Sequence, residues 1–405
     1  MKYVILGNGI AGFTAAKDIR EYDELAEIVI VSEEPYLSYS RPMMTKAPLK
    51  GFDIKKFMLK DHSWYESKKI KVLMRKRVRR IDSECKKIFL DDQSELDYDK
   101  CIYALGAKSF VPPIPGVNQE GIVVARTLED IAKLRMLTLY AKQAVVIGGG
   151  VVGLEAAWEL KKAGIKVSVL EQAPHLMGSL LDSESAKVLE NAIVEAGVTV
   201  KTGIQIREID KQKHVILSDG TTYPADLIVL SCGIKANTEV AFEAGIKVNR
   251  AVVVNEKMET NIQDTYACGD CAEYQGINYG LWDQSIKQAQ VAAANSCGIE
   301  KKYNGIDRAV LFNGMKTSLF AIGDLTATEV QKKESNQLKP EKFMVNNPFT
   351  ASQNYEKYFL QGDRLRGAVL IGDLRKMATL KKAIKEQWSM TKFEEVMQSC
   401  FQLKN

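Results

Sequence analysis

Two stretches of this 405-residue chain carry glycines at a spacing that can seat a phosphate group. Gly7, Gly9 and Gly12 form one G-x-G-x-x-G run, and Gly148, Gly150 and Gly153 form the other, inside two copies of one pattern, Lys2–Ala16 and Gln143–Ala157. In such a turn the first glycine permits the tight bend, the second lets a pyrophosphate approach the main chain, and the third lets a helix pack close to a strand. The helix that follows aims free N–H groups and a positive dipole end at the anion. Ile10 and Ala11 belong to the first cradle, and Gly149, Val151 and Val152 to the second. About 20 residues beyond each run stands an acid able to accept hydrogen bonds from ribose hydroxyls, Glu33 with Glu34 in the first copy and Glu171 in the second.

Those residues need a strand before each turn and a second strand after each helix. Apolar runs supply them: Tyr3–Leu6 and Ala144–Ile147 precede the turns, and Glu27–Val31 and Lys166–Leu170 follow the helices. A single G-x-G-x-x-G is as often a plain glycine turn. Two of them, each in the order strand, turn, helix, strand, acid, predict two nucleotide-binding βαβ units. Around them lie short predicted strands at Lys71–Leu73 and Lys87–Leu90, an apolar run Lys100–Leu105 ending at Gly106, and a ladder through 198–230 that leads to Asp226–Gly233. From about Asn304 the pattern changes to alternating β segments, Ser318–Ile322, Tyr355–Leu360 and Gly367–Ile371, followed by an amphipathic Lys-rich helix over Leu374–Trp388. The fold class is therefore α/β, two Rossmann-like dinucleotide-binding domains plus a small α+β C-terminal domain.

Composition bounds the rest. Hydrophobic residues at 46% and charged residues at 26% describe a folded globular chain and exclude disordered, collagen-like and coiled-coil classes. A net charge of +5 is too small to indicate nucleic-acid binding and at most favours an acidic partner. Seven cysteines, odd in number and scattered, do not make a secreted disulfide framework, so a reducing cytoplasm is expected. The three histidines share no ligand spacing and no H-E-x-x-H or G-x-S-x-G occurs, so zinc and serine hydrolase chemistry lack their parts and no metal site is expected. No apolar run reaches the roughly 18 residues of a membrane span. Val4–Ala16 is short and apolar, but its three glycines mark a strand, turn and helix rather than a signal peptide.

The order of motifs then carries a resemblance. The paired glycine runs, Ser32–Lys46 (SEEPYLSYSRPMMTK), Ala104–Lys108 (ALGAK), Ala125–Asp130 (ARTLED) and Thr265–Glu273 (TYACGDCAE) resemble the FAD- and pyridine-nucleotide-dependent oxidoreductases of the disulfide-reductase fold. Within that superfamily the chain is most similar to NADH:rubredoxin reductases and to the flavin part of NADH-dependent nitrite reductases. The resemblance implies an FAD-binding domain over 1–112 and 235–303, an NAD-binding domain over 113–234, and an interface domain over 304–405. It implies FAD phosphates on Gly7–Gly12 and the adenosine ribose on Glu33 with Glu34. Arg41 and Lys46 match cofactor contacts, Val78 an adenine contact through its backbone, and Ala104 and Gly106 the turn after the apolar run. Arg126 matches a flavin-nucleotide contact and Asp270 a ribitol contact, while Leu281 and Trp282 open the helix predicted over Asp283–Ala294, whose N-terminus faces the pyrimidine edge of the flavin. NAD would lie on Gly148–Gly153, with Glu171 at its ribose and Gly233 beside it. Lys46 and Glu155 match an ion pair beside flavin N5 and are the expected catalytic residues.

Absent residues narrow the reading. Disulfide reductases of this fold carry a C-x-x-x-x-C pair, and related peroxidases and oxidases one cysteine, where this chain has Ser38, Tyr39, Ser40, Arg41 and Pro42. The pair Cys268 and Cys271 brackets Gly269-Asp270 and reads as small buried residues. The resemblance thus implies hydride from NADH to FAD, then single electrons to a small acidic carrier such as rubredoxin. The alternatives are an NADH-oxidising subunit of a larger complex, an NADH oxidase, and a binding protein that FAD and NAD switch without turnover. The stretch Ser389–Asn405 matches no motif.

Overall fold

The computed structural model describes residues 1–46, 49, 53–305, 308–325 and 354–402. In chain order its principal strands are β1 (Lys2–Leu6), β2 (Glu27–Ser32), β3 (Ile70–Met74), β4 (Lys100–Tyr103), β5 (Ile122–Val124), β6 (Gln143–Ile147), β7 (Lys166–Leu170), β8 (Thr199–Lys201), β9 (Leu227–Leu230), β10 (Thr265–Ala267), β11 (Ala309–Gly314), β12 (Thr317–Gly323), β13 (Tyr355–Gln361) and β14 (Arg364–Ile371). The principal helices are α1 (Ile10–Tyr22), α2 (Leu128–Thr138), α3 (Val151–Lys162), α4 (Ser183–Glu195), α5 (Trp282–Ser296), α6 (Met377–Lys385) and α7 (Met390–Gln402). Two compact units contain them, Met1–Met44 with Phe52–Phe110 and Ile234–Ile306, and Thr45–Gly51 with Val111–Gly233 and Asp307–Asn405.

In the first unit a parallel sheet runs in the order β10-β4-β1-β2-β3. Tyr3 pairs with Ile28 and Leu6 with Val31, which sets the ends of β1 and β2 side by side. Val4, Ile5 and Leu6 are fully buried, as strands covered on both faces must be. Helices α1 and α5 pack on each other beside this sheet, and their core includes Ala15, Ile19, Ala289 and Ala292. The small residues permit the close approach.

The second unit repeats the plan in the order β8-β7-β6-β9-β5, again all parallel. Both expected βαβ units are therefore present. Edge strand β5 carries no signal beyond three apolar residues and was not expected from the sequence. The same unit holds an antiparallel sheet, β11-β12-β14-β13. Strand β11 alternates buried and outward residues, and Phe320, Leu370, Leu380, Ile384, Trp388 and Phe393 form the core beneath α6 and α7. The helix predicted over Leu374–Trp388 is α6, three residues shorter at each end; Gln387 follows it at φ +51° and the chain restarts as α7. Residues 326–353 and 403–405 of the C-terminal region, and 47, 48 and 50–52 of the N-terminal region, lie outside the described residues.

Candidate functional site

The first glycine turn is shaped by its own backbone. Gly7 has φ +111°, and a Cβ there would stand 2.2 Å from the Ala104 carbonyl oxygen. A Cβ on Gly12 would stand 1.9 Å from the Gly7 oxygen. Both contacts are with main chain that cannot yield, so glycine is obligatory at each. Gly9 differs, since nothing lies within 4 Å of where its Cβ would be. It caps α1 without a side-chain hydrogen bond, and the first helical bond is Phe13 N–H to Gly9 C=O, so the N–H groups of Ile10, Ala11 and Gly12 have no acceptor within the helix. Open space in front of bare N–H groups fits a phosphate. Between these glycines Asn8 donates to the Tyr36 carbonyl at 3.3 Å, while its buried Oδ1 has no hydrogen-bond partner among the described residues. That orphaned acceptor also fits a polar ligand.

The acids after β2 part company. Glu33 is 71% exposed and lies 3.8 Å from Arg77. Glu34 has both oxygens engaged, one by the Tyr39 hydroxyl at 2.5 Å and the other by Arg41. The Arg41 guanidinium also stands 5.0 Å over the Tyr39 ring. Glu33 is thus the more exposed of the two acids, and Glu34 holds Arg41. Val78 is buried at the start of the Val78–Asp82 strand, opposite Leu90.

Three more expected residues gather near this turn. Ala104 donates to the Leu6 carbonyl at 2.8 Å, and Gly106, at φ +65°, accepts from Asn237 N–H at 2.9 Å. The Asn237 side chain adds a bond to Leu105 C=O at 2.9 Å, a support that sequence reasoning missed. Gly269, at φ +83°, would place a Cβ 2.9 Å from that of Ala11, so Gly269-Asp270 lies against the start of α1. Gln288 accepts from Gly269 N–H at 2.9 Å and the Ser285 hydroxyl reaches Asp270 at 3.3 Å. Leu281 caps α5 without a side-chain bond, with Trp282 its first residue. Cys268 and Cys271 are buried and unbridged; burial pushes the Cys271 thiol up to about 12 and that of Cys268 well above its ordinary value. They are packing residues rather than a redox pair.

The second unit holds the other turn. Gly148, at φ +112°, and Gly153 are constrained as in the first copy, by the Ser231 and Gly148 oxygens at 2.2 and 2.1 Å, and Gly150 again faces open space. Val151 and Val152 begin α3, which Gly150 caps without a side-chain bond. Glu171 accepts from Gly149 N–H at 2.5 Å and from Ala173 N–H at 2.7 Å, so it ties the loop after β7 to the glycine turn. Gly233, at φ +99°, follows Cys232, whose thiol burial raises to about 11 and which donates to Ile147 C=O at 3.5 Å. Arg126 lies in this unit, immediately before the Thr127–Asp130 capping box of α2, with its N–H bonded to Asp130.

Lys46 and Glu155 come together in this unit, though asymmetrically. Glu155 is 5% exposed and Lys46 32%, with 3.6 Å between Nζ and Oε1. Thr45, adjacent in sequence, donates to Glu155 Oε2 at 2.5 Å. Burial pushes the Glu155 carboxyl above its ordinary range, against the Thr45 hydroxyl and the Lys46 charge that pull it down. One turn further along α3, Glu159 is also raised by burial and pairs with Lys162 at 2.6 Å. Thr45 was not singled out from the sequence, because its partner lies 110 residues away.

Comparison with known proteins agrees with this geometry. The family model described as pyridine nucleotide-disulphide oxidoreductase matches residues 1–296, and that of the rubredoxin NAD+ reductase C-terminal domain matches 310–388. A nitrite reductase [NAD(P)H] of Bacillus subtilis is 37% identical over 91% of this chain and 45% of its own length, so the chain spans about half of that relative. An NADH-rubredoxin oxidoreductase of Clostridium acetobutylicum is 28% identical over 95% of this chain and 94% of its own. Among solved structures, an NAD-dependent persulfide reductase from A. fulgidus superposes with a TM-score of 0.86 at 28% identity, covering 97% of this chain and 78% of that one. With more than half its residues matched by one family model, the chain belongs to the pyridine nucleotide-disulphide oxidoreductase family.

Proposed function

We propose that the chain is an FAD-dependent NADH oxidoreductase that passes electrons singly to a small acidic electron-carrier protein, rubredoxin or one like it. The observation that carries this reading is the duplicated cradle, two glycine turns that each leave the middle glycine facing open space before a helix without a side-chain cap. FAD would be held by Gly7–Gly12, with Asn8, Glu33, Arg41, Val78, Ala104, Gly106 and Asp270 of the first unit. NADH would be held by Gly148–Gly153, Glu171 and Gly233 of the second. When bound, FAD supplies the conversion between two-electron and one-electron chemistry.

The chain's own residues have definite tasks in this reading. The bare N–H groups of Ile10 to Gly12 and of the start of α3 would orient phosphates, and the close backbone of Ala104 and Ser231 leaves no room for a side chain at Gly7 and Gly148. Glu171 offers carboxylate rather than a cation to the adenosine ribose, which favours NADH over NADPH. Lys46 and Glu155 form the ionisable pair that the resemblance sets beside the reacting ring, and Glu155, buried and raised, can hold or release a proton there. No thiol serves as relay, since Tyr39 and Ser40 stand where related enzymes carry cysteine and Cys268 and Cys271 are closed within the core. The NADH-rubredoxin oxidoreductase relative of similar length supports a small carrier protein as acceptor. A cytoplasmic setting agrees with the six described cysteines being free, and no helix among the described residues is long and apolar enough to cross a membrane.

A second reading has one observation behind it. The chain spans about half of the nitrite reductase relative, 45% of its length, so the same electrons could pass to an associated reductase subunit or domain. Stopped-flow reoxidation of the NADH-reduced protein tests both. Fast, salt-sensitive reoxidation by rubredoxin is expected, falling as ionic strength takes the Debye length to about 8 Å and below. A slow, salt-insensitive reaction beside fast reoxidation by dioxygen would refute the carrier reading. Co-purification with further subunits would favour the complex.

A further inference from the structure

The geometry points to Thr45 as a positioning residue, whose hydroxyl holds one oxygen of Glu155 so that the second faces Lys46. This rests on the reading of Lys46 and Glu155 as the ionisable pair of the reaction, and it adds a residue to which neither the motifs nor the resemblance gave a role.

Three observations carry it. The Thr45 hydroxyl, itself 7% exposed, donates to Glu155 Oε2 at 2.5 Å, the only hydrogen bond that carboxylate receives among the described residues. Oε1 is buried without a hydrogen-bond partner among the described residues, and the Lys46 Nζ stands 3.6 Å away, within Coulombic reach but beyond a hydrogen bond. Lys46, one-third exposed, is partly screened by solvent, so the ion pair alone is a weak hold on a buried carboxylate. The Thr45 bond is short, buried and directed at one oxygen.

The electrostatics agree. Burial is the largest influence on Glu155 and drives it toward the neutral acid; the Thr45 hydroxyl and the Lys46 ammonium both pull it back, while Glu159 one turn along pushes the other way. The strands packed against α3, which are β6, β7, β9 and β11, bring one ionisable residue among them, Lys166, exposed at the start of β7. The charged groups facing Glu155 are therefore Lys46 and Glu159, and a neutral hydroxyl adds to the pull of Lys46. A hydrogen bond to an ionised group is stronger than one between neutral partners. Losing it moves the carboxyl further upward.

The test compares Thr45→Val and Thr45→Ala, which remove the donor, with Thr45→Ser, which keeps it. In the full-length chain without added FAD, carbon-13 NMR of labelled glutamate, assigned with Glu155→Gln, reads the Glu155 carboxyl directly. Thr45→Val is expected to raise its titration midpoint, with Thr45→Ser unchanged. With FAD bound, the pH profile of flavin reduction by NADH is expected to move to higher pH in Thr45→Val and to rejoin the wild-type rate at alkaline pH. Glu155→Gln should show no such recovery. An unshifted midpoint, or a Thr45→Val protein slow at every pH like Glu155→Gln, would overturn the assignment. So would loss of fold in both Thr45→Val and Thr45→Ala with Thr45→Ser intact, which would make the hydroxyl structural. Failure of the wild type to bind FAD would instead sink the functional reading, and the carboxyl titration would still decide the role of Thr45.

Discussion

Glu171 Oε2 accepts the Gly149 N–H at 2.5 Å, which joins the acid at the end of β7 to the middle of the second glycine turn. Both carboxylate oxygens hold the turn and the loop after β7, and in the proposed reading their remaining lone pairs would meet a ribose. We expect kcat/KM to favour NADH strongly over NADPH. Glu171→Arg should shift that ratio toward NADPH while lowering total activity and Tm, because the Gly149 and Ala173 N–H groups lose their acceptor at about 1–3 kcal/mol. Equal use of the two nucleotides by the wild type would remove the assignment, and Glu171→Arg with unchanged Tm would remove the second role.

Glu155 carries a pH signature in stability. Its carboxyl is raised in the folded chain by burial, only partly offset by Thr45 and Lys46, so its protonated form suits the fold and stability is lost as pH climbs through the folded value. Glu155→Gln should match the wild-type Tm in acid, below the ordinary carboxyl value of 4.5, and exceed it increasingly at higher pH. Because Lys46 is one-third exposed, its ammonium is not stranded in the core by the change. A Tm difference independent of pH would show that Glu155 is not raised.

The glycines separate folding from binding. Gly12→Ala drives a Cβ to 1.9 Å from main-chain oxygen and should lower Tm severely. Gly9→Ala enters open space and should leave Tm near wild type while FAD affinity falls at least tenfold, since the added methyl takes the place of the ligand. Circular dichroism melting and flavin-fluorescence titration read the two effects. Similar losses of Tm in both variants would contradict the open position at Gly9.

Lys357 pins the C-terminal sheet to α4. Its ammonium, 16% exposed, bridges Asp182 and Glu184 at 2.6 Å each, and Tyr355 meets Ser185 at 3.2 Å nearby. Lys357→Met should cost about 1–2 kcal/mol at neutral pH, between the values for surface and buried pairs. Asp182 is pushed up by burial but held below its ordinary value overall by Lys357 and Ser185, so its contribution is present at neutral pH and disappears as pH falls. Urea unfolding at neutral and acid pH checks this: a cost that persists unchanged in acid would rule out the ion pair as its source.

Cys268 and Cys271 should resist chemistry in the native protein. Both thiols are fully buried and raised, and Cys271 already donates to the Cys268 and Tyr103 carbonyls at 3.3 and 3.5 Å. Peptide mapping after brief alkylation should find neither labelled until the chain is unfolded, and NADH should drive no reduction of glutathione disulfide. Rapid labelling of either would reopen a thiol relay.

The turns were legible because their demands are local. Gly7 and Gly148 need positive φ and Gly12 and Gly153 need a missing Cβ within six residues of chain, so composition and spacing reveal them. Their supports were not legible, because Asn237, Gln288 and Thr45 are ordinary polar residues whose meaning lies in partners 132, 19 and 110 positions distant. Glu34 shows the intermediate case. Its place beside Glu33 suggested a shared ribose contact, and the sequence alone did not show that Tyr39 and Arg41, within the next seven residues, reach back to its two oxygens. The end of α6 was legible only to within three residues, since the positive φ of Gln387 and the Trp388 N–H bond to the Ala383 carbonyl that close it are not encoded in periodicity.

The first unit is interrupted in the chain by most of the second, and this bears on the order of synthesis. Its central sheet lacks β10, and α1 lacks α5, until residues beyond 265 have left the ribosome. The sheet spanning β5 to β9 needs no residue after 230 and can close first. The amino-terminal 110 residues would wait with their apolar strand edge unpaired while a whole neighbouring sheet forms downstream. In the proposed reading, FAD would meet the wall that Gly269 sets against Ala11 only after the second unit's parallel sheet has been synthesised.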